Sequence, residues 1–335
     1  APTPSEAFIE GRPETESSGT ESSVGWLLPF VTTVAGVLLL LLLTVAACWL
    51  RQRWHRPAQK HNRPLETEDV PEAVMEEAPV EEELQPPSNW RLPSKNGWTN
   101  GSAVALIEVD GIEALGLQDL MDKTYKKVRT RDRKTGPMPE RLKLLSVQRV
   151  ENAELWQKYA VSRQVLKGKR AHKCTPVANR GGGVRTMENP LLAKIVMPGI
   201  NEVYLWHGTS EDGAKSIVRG GFRVELAGSS VGTLYGKGLY LAECSSKADE
   251  YSGSDDAVPG ARCLLLCRVV LGEVLSLTAG GEATYKMIEA GIQSGAYDSV
   301  LGDREASVGT YREFVVYDPA RVYPEYFIRY EHELE

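Results

Sequence analysis

The run Val203-Tyr204-Leu205-Trp206 has the composition of a β-strand, and it stops at His207, with Gly208 and Thr209 following at once. A histidine at a strand end offers a ring nitrogen to a ligand, and the glycine beside it leaves the main chain open to close approach. Further along come Gly236-Lys237-Gly238-Leu239-Tyr240, then Tyr251, then Glu313 within YREFVVYD, each polar or aromatic in an otherwise apolar setting. Taken singly they are ordinary. A lone histidine is most often a satisfied core or surface residue, a strand tyrosine packs, and a strand glutamate is solvated. Their joint order marks them as a candidate site. Other chemistries fail on context. GTLYGKGL lacks phosphate-loop spacing, because Gly238 rather than Ser or Thr follows Lys237. No G-x-G-x-x-G opens a helix after a strand, and there is neither a nucleophile elbow nor an H-E-x-x-H.

The elements that must position these residues read as α+β. ALIEVDG (105–111) is a short strand ending in a turn, and LGLQDLMDKTYKKV (115–128) has helical spacing. LKLLSVQRV (142–150) is a strand and ENAELWQKYAVSRQVL (151–166) an amphipathic helix. A basic, glycine-rich loop leads to the strand ending at His207, then to a helix with Ser210 as cap and Gly220 as stop. After a Gly/Ser-rich loop come the strand LYLAE, a helix start at SSKADEYS, and one or two buried strands in CLLLCRVVLGEVLSL. YREFVVYD and EYFIRYEH close the chain as strands. Helices come early and strands late, without regular βαβ alternation. The five cysteines show no metal spacing and no disulfide framework, so no metal site is expected, and Cys263 and Cys267 read as buried, inert thiols.

Composition, 42% hydrophobic and 25% charged, excludes a chain that is disordered throughout, but it is unevenly spread. Residues 1–23 read as a disordered stalk. Residues 24–50 carry no charged side chain, and as a helix they would reach roughly 40 Å, enough to span a bilayer. Acids precede this stretch and RQRWHRPAQKHNR follows it, so the expectation is a single-pass membrane protein with its N-terminus outside or lumenal and the rest cytosolic. Residues 51–97 hold that basic run and an acidic linker, whose segment 64–87 has nine acids and five prolines. Residues 98–335 form the expected folded domain. The chain begins with Ala, reads as a processed or partial product, and leaves room for an ectodomain upstream. Of the net charge of −6, the stalk carries −4, the linker −9 and the basic run +5, which leaves 88–335 at +2. That near-neutrality argues against indiscriminate nucleic-acid binding. The cluster KTYKKVRTRDRK (123–134) stays open as a contact for anionic lipid or RNA, or as a solvated helix face and loop.

LWHGT, YGKGLYLAE, SSKADEY, CRVVLGE and EFVVYDPARVYPEYFIRY together resemble, in order and approximate spacing, the catalytic domain of the poly(ADP-ribose) polymerase family. The resemblance covers about residues 100–333 and is nearest in flavour to tankyrases and the short mono-ADP-ribosylating members. It implies split antiparallel sheets around an NAD⁺ cleft and an ADP-ribosyltransferase that modifies protein acceptors and releases nicotinamide. The family's His-Tyr-Glu triad falls on His207, Tyr240 and Glu313. By resemblance His207 binds the adenine-side ribose, Gly208 pairs its main chain with the nicotinamide carboxamide, and Thr209 extends that edge. Tyr240 and Tyr251 flank the nicotinamide ring, Arg223 and Tyr235 lie on the loop over the donor, and Glu313 stabilises the ribose cation. One departure stands out. The family usually has a serine after the lysine of SSKADEY, where this chain has Ala248, with Ser246 or a water as substitute donor. That departure supports an alternative: a catalytically silent module that binds NAD⁺, ADP-ribose or a partner protein.

Overall fold

The computed structural model describes residues 84–91, 104–133, 136–170, 174–226, 233–253 and 260–334. The expected stalk, the segment 24–50 and most of the linker lie outside these residues. The chain divides into two units, Ala1–Val74 and Met75–Glu335, and all described residues belong to the second.

Among the described residues nine strands make one mixed sheet: β1 (Val104–Val109), β2 (Arg141–Asn152), β3 (Glu202–Gly208), β4 (Leu239–Ala242), β5 (Ala261–Val270), β6 (Val274–Leu277), β7 (Ser299–Asp303), β8 (Arg312–Val316) and β9 (Val322–Glu333). Their order is β1-β2-β9-β5-β3-β4-β8-β7-β6. Among the described residues only β6 and β7 pair in parallel. β3 and β4 share a single pair, Trp206↔Ala242, whereas β3 and β5 match along their length from Glu202↔Val270 to Gly208↔Leu264. The sheet is thus a five-stranded and a four-stranded half meeting at a narrow seam.

β5 reads ARCLLLCRVV and is buried almost throughout, as a strand covered on both faces should be. Its alternate residues serve two cores. Cys263, Leu265 and Cys267 join Leu205, Phe314 and Phe327 on one side, and Leu264 and Leu266 join Trp206, Ile328 and Tyr330 on the other. Both thiols are therefore buried, and burial pushes the Cys267 thiol well up from its ordinary value.

Helix α1 (Gly111–Lys123) starts earlier and stops sooner than the periodicity of 115–128 suggests. Thr124 turns its hydroxyl back onto the Leu120 carbonyl at 2.8 Å, and residues 125–133 leave the helix as an irregular strap. Helix α2 (Ala153–Arg170) buries Trp156, Tyr159, Ala160 and Leu166. Residues 84–91, upstream of the boundary expected at 98, dock on this aromatic layer. Trp156 donates its indole N–H to the Gln85 carbonyl at 2.9 Å, and Trp90 stacks on Tyr323 at 6.1 Å. Five shorter helices follow: α3 (Pro190–Ala193), α4 (Glu211–Gly220), α5 (Ser245–Asp249), α6 (Glu282–Gln293) and α7 (Arg304–Val308). Ser210 caps α4 by accepting from the Gly213 N–H at 3.2 Å. The residue that ends α4 is Gly221, at φ +81°, rather than Gly220.

Among the described residues no helix is long and apolar enough to cross a membrane. The longest, α2, has 18 residues and a polar face ending in Lys167, Lys169 and Arg170. This corrects the expected single-pass placement. Residues 24–50 lie outside the described residues, and the anchor, the lumenal N-terminus and the cytosolic orientation are not carried forward.

The cluster at 123–134 divides as far as residue 133: Lys123, Lys127, Arg129 and Arg131 are exposed, and two of its charges turn inward. Arg133 and Asp249 form a 2.7 Å ion pair with both side chains fully buried, and Lys126 pairs with Glu305 at 2.8 Å.

Gly302 on β7 lies directly beneath the buried Tyr235 ring, where an added methyl group would overlap the ring atoms. Gly302→Ala should therefore destabilise the protein by about 1–3 kcal/mol or more through overpacking, read as a lower denaturant midpoint in equilibrium unfolding.

Candidate active site at the β3–β4 seam

β3 carries His207 and Gly208 past the last pair it makes with β4. His207 is half-buried, with Nδ1 3.0 Å from the Tyr240 carbonyl and its ring edge-on to Phe222 at 5.0 Å. A carbonyl only accepts, so Nδ1 holds the proton. Burial lowers the imidazole pKa against the hydrogen bond from Nδ1. The neutral ring then leaves Nε2 as an acceptor.

Gly208 is required by the protein before any ligand arrives. A Cβ there would overlap the Ala248 carbonyl oxygen and sit 2.7 Å from its carbon. The backbone of α5 thus lies against the end of β3, and no side chain fits between them. The sequence pointed to ligand approach as the reason for this glycine, but α5 already imposes it. Thr209 follows, its carbonyl accepting from the Gly253 N–H at 3.4 Å.

Tyr240 on β4 is fixed through its hydroxyl, which accepts from the Tyr235 N–H at 2.8 Å and donates to the Gly236 carbonyl at 3.0 Å. Its ring stays partly exposed. Tyr235 shares this anchoring but is itself fully buried; burial, then the charge of Glu313, pushes its phenol up to about 12. Arg223 is exposed. The structure therefore brings His207, Gly208, Tyr240, Tyr251 and Glu313 together, places Tyr235 beneath them, and gives Arg223 no described partner in the group.

Glu313 lies one residue into β8, paired with Ala242 on β4 and Gly302 on β7. Its side chain is 14% exposed and its carboxylate is 3.6 Å from the Lys247 ammonium. Burial raises the Glu313 pKa, Lys247 opposes that rise, and Asp132 and Glu250 add to it. Lys247 is nearly buried and donates to Asp132, Glu250 and the Tyr251 hydroxyl at 2.9, 2.9 and 2.8 Å. Its ammonium also sits 4.7 Å from the centre of the Tyr251 ring. Burial works against that charge, but Glu313, Tyr251 and Glu250 outweigh it and keep the lysine protonated.

Lys247, Glu250 and Asp132 were not singled out from sequence. Lys247, Glu250 and Tyr251 have i, i+3, i+4 spacing, which places them on one side of a turn and was a usable signal. Asp132 had none, being one acid inside a basic run. Ser246 cannot replace the hydroxyl missing at Ala248. Its oxygen accepts from the Lys126 N–H and its proton goes to the Lys126 carbonyl, both at 2.9 Å. No group of three metal-ligating side chains occurs among the described residues.

The model of the poly(ADP-ribose) polymerase catalytic domain matches residues 122–332, a stretch that holds every residue of this site. The chain belongs to that family. Protein mono-ADP-ribosyltransferase PARP12 of Homo sapiens is 30% identical over 186 residues, 55% of this chain and 21% of that protein. Protein mono-ADP-ribosyltransferase PARP11 of Mus musculus is 25% identical over 212 residues, 58% of this chain and 54% of that protein. The tankyrase of Caenorhabditis elegans is 26% identical over 164 residues, 39% of this chain and 7% of that protein. The chain thus spans about a fifth of PARP12 and about half of PARP11. Within the family domain, Glu313 occupies a β-strand whose neighbours hold its carboxylate away from bulk water.

A carboxylate whose pKa is raised by the fold costs stability above its ordinary pKa, because the folded state then retains a proton that the unfolded state releases. Glu313→Gln removes that cost and leaves Lys247 its three acceptors. The substitution should raise the thermal midpoint at neutral pH by about 2–4 °C, the shift expected for about 1 kcal/mol in a domain of this size. The gain should vanish in scans run below the ordinary glutamate pKa, where both states are protonated.

Proposed function

We propose that the chain is an NAD⁺-dependent protein ADP-ribosyltransferase, moving ADP-ribose from NAD⁺ to protein acceptors and releasing nicotinamide. The observation that carries this reading is the convergence on one seam of a neutral imidazole, a strand edge at Gly208, two partly exposed tyrosine rings and the shielded carboxylate of Glu313.

On this reading Nε2 of His207 accepts from a hydroxyl of the adenine-side ribose. Beyond Trp206 the β3 main chain has no β4 partner, and at Gly208 it meets the nicotinamide carboxamide. The rings of Tyr240 and Tyr251 cover the two faces of the nicotinamide, and their hydroxyls, already engaged with protein partners, hold those rings in place. Thr209 continues the edge, Tyr235 supports Tyr240 from below, and Arg223 reaches the donor from its exposed loop. In the reaction the ribose–nicotinamide bond breaks and its electron pair leaves with the ring nitrogen, which becomes neutral. The ribose carbon acquires oxocarbenium character, as in glycoside cleavage. Glu313 opposes that charge and orients the adjacent hydroxyl. An acceptor hydroxyl or carboxylate oxygen supplies the new bond, and a hydroxyl gives up its proton to Glu313 or to water.

A second reading, a silent module that holds NAD⁺ or ADP-ribose without transfer, is favoured by one observation: Ala248 leaves the carboxamide one donor short and Ser246 is fully engaged. The loss of one neutral hydrogen bond is worth about 1 kcal/mol, which weakens NAD⁺ binding without removing the groups that act on the bond.

The test uses the full 335-residue chain with labelled NAD⁺, beside Glu313→Gln. Covalent label on protein in the parent and at least about 100-fold less in the variant supports the transferase, with a discrete band or a ladder distinguishing single units from chains. Absence of label in both, with NAD⁺ still raising the thermal midpoint, supports the silent module instead. In an active parent Ala248→Ser should lower the KM for NAD⁺ about fivefold, the equivalent of the missing hydrogen bond.

A further inference from the structure

The strap at 125–133 is sewn to α5 and the turn after it far more tightly than a connecting loop needs. The Lys126 N–H and carbonyl both bond Ser246. Thr130 donates to Glu250, with its hydroxyl 2.8 and 2.9 Å from the two carboxylate oxygens. Arg133 pairs with Asp249 and reaches the Ser246 carbonyl at 3.2 Å. Between these attachments, Oδ2 of Asp132 accepts from Lys247 Nζ and from the Tyr251 hydroxyl, both at 2.9 Å.

An ammonium has three N–H donors, and those of Lys247 are all committed: to Asp132, to Glu250 and to the Tyr251 hydroxyl. Glu313, at 3.6 Å, is the fourth group around that ammonium and takes only a long, weak contact from it, against 2.8–2.9 Å for the other three. Its oxygens therefore feel the positive charge yet remain open to a ligand hydroxyl. If Asp132 is removed, one donor is released, and Glu313 at 3.6 Å is the remaining carboxylate beside the ammonium that holds no short bond from it.

We propose that Asp132 is a positioning residue for Glu313: by occupying a Lys247 donor and the Tyr251 hydroxyl with one carboxylate oxygen, it keeps the lysine from closing onto the Glu313 carboxylate. This rests on the transferase reading for its effect on turnover, but its effect on Glu313 itself does not. The charged and titratable groups concerned are Lys247, Glu250, Tyr251 and Glu313, with Arg131 3.9 Å from the other Asp132 oxygen and 88% exposed. Burial first, and then the charge of Glu313, raises the phenols of Tyr235 and Tyr240. Losing the Asp132 charge takes a negative neighbour from Glu313 and brings the ammonium nearer. Both changes favour the ionised carboxylate, so its titration moves to lower pH.

The experiment compares the full chain with Asp132→Asn, Asp132→Ser and Asp132→Glu, all confirmed folded by thermal midpoint. Turnover of labelled NAD⁺ is measured against pH, and the Glu313 carboxyl is titrated by ¹³C NMR in glutamate-labelled protein, with its signal assigned through Glu313→Gln. Asp132→Ser, whose shorter side chain withdraws the acceptor that Asn would keep, should lower kcat about tenfold with KM changed less than about threefold, the pattern of a group needed mainly in the transition state. The acid limb of kcat and the Glu313 midpoint should both move down by about half a pH unit or more, and Asp132→Glu should recover most of kcat. A folded Asn or Ser variant in which Glu313 titrates where it does in the parent overturns the proposal. If the parent transfers no label, the transferase reading fails, while the Glu313 midpoint still decides the role of Asp132. The Asn variant, which removes the charge and keeps an acceptor, serves for the Glu313 titration should the Ser variant not fold.

Discussion

The close approach of α5 to the end of β3 is the constraint on which the rest of the site depends. The Ala248 carbonyl rests against Gly208 with no room for a side chain. That contact sets the height of α5 above the seam, and so the positions of Lys247 and of Tyr251 beyond it. Arg133 and Asp249 lock the same helix from the other side through a fully buried ion pair. His332 and Tyr330 add hydrogen bonds to Asp249 at 2.7 and 2.5 Å. Burial alone would raise that carboxyl; these partners, His332 first, overcome it and hold Asp249 at about 2. A five-residue helix has little stability of its own, so its placement comes from these tertiary attachments.

Much of this organisation was legible in the sequence, and what was hidden has a common physical origin. The strand end at His207 was readable because an apolar β-forming run stops there, and Tyr240 because it lies within the short strand-forming run LYLA. Glu313 stood out because a single acid interrupts REFVV. The α+β class followed from strands late in the chain without alternating helices. Long-range closure was not readable. Nothing local says that Tyr125 and Val128 leave their helical periodicity, since Thr124 ends α1 through its own hydroxyl. Nothing local says that Asp132, among basic neighbours, faces Lys247 across 115 positions of chain. Burial of a whole charged set depends on partners that meet only in the folded state.

The seam also interrupts the strand ladder without interrupting the packing. The five-stranded half has a two-sided core built around β5, with buried ion pairs such as Arg268–Glu325 at 2.8 Å. The four-stranded half has the smaller cluster of Tyr235, Ile288, Val300 and Val315. One strand pair joins them, while Leu205 and Leu265 on one side and Leu241 and Phe314 on the other share a single core across it, so between His207 and Glu313 the ladder is interrupted and the packing is not.

The docked segment at 84–91 gives the domain a mechanical property. The Arg91 N–H is held by both Glu151 oxygens at 3.0 and 2.9 Å, Arg149 grips the Asn89 carbonyl at 2.9 Å, and Trp90 lies against Trp156 and Tyr323. A pull on the chain upstream is borne first by these bonds and rings, before any load reaches β1. Tension there must peel an aromatic residue from the α2 layer before it can unzip the edge of the sheet, which makes this short stretch a strain relief for the catalytic domain.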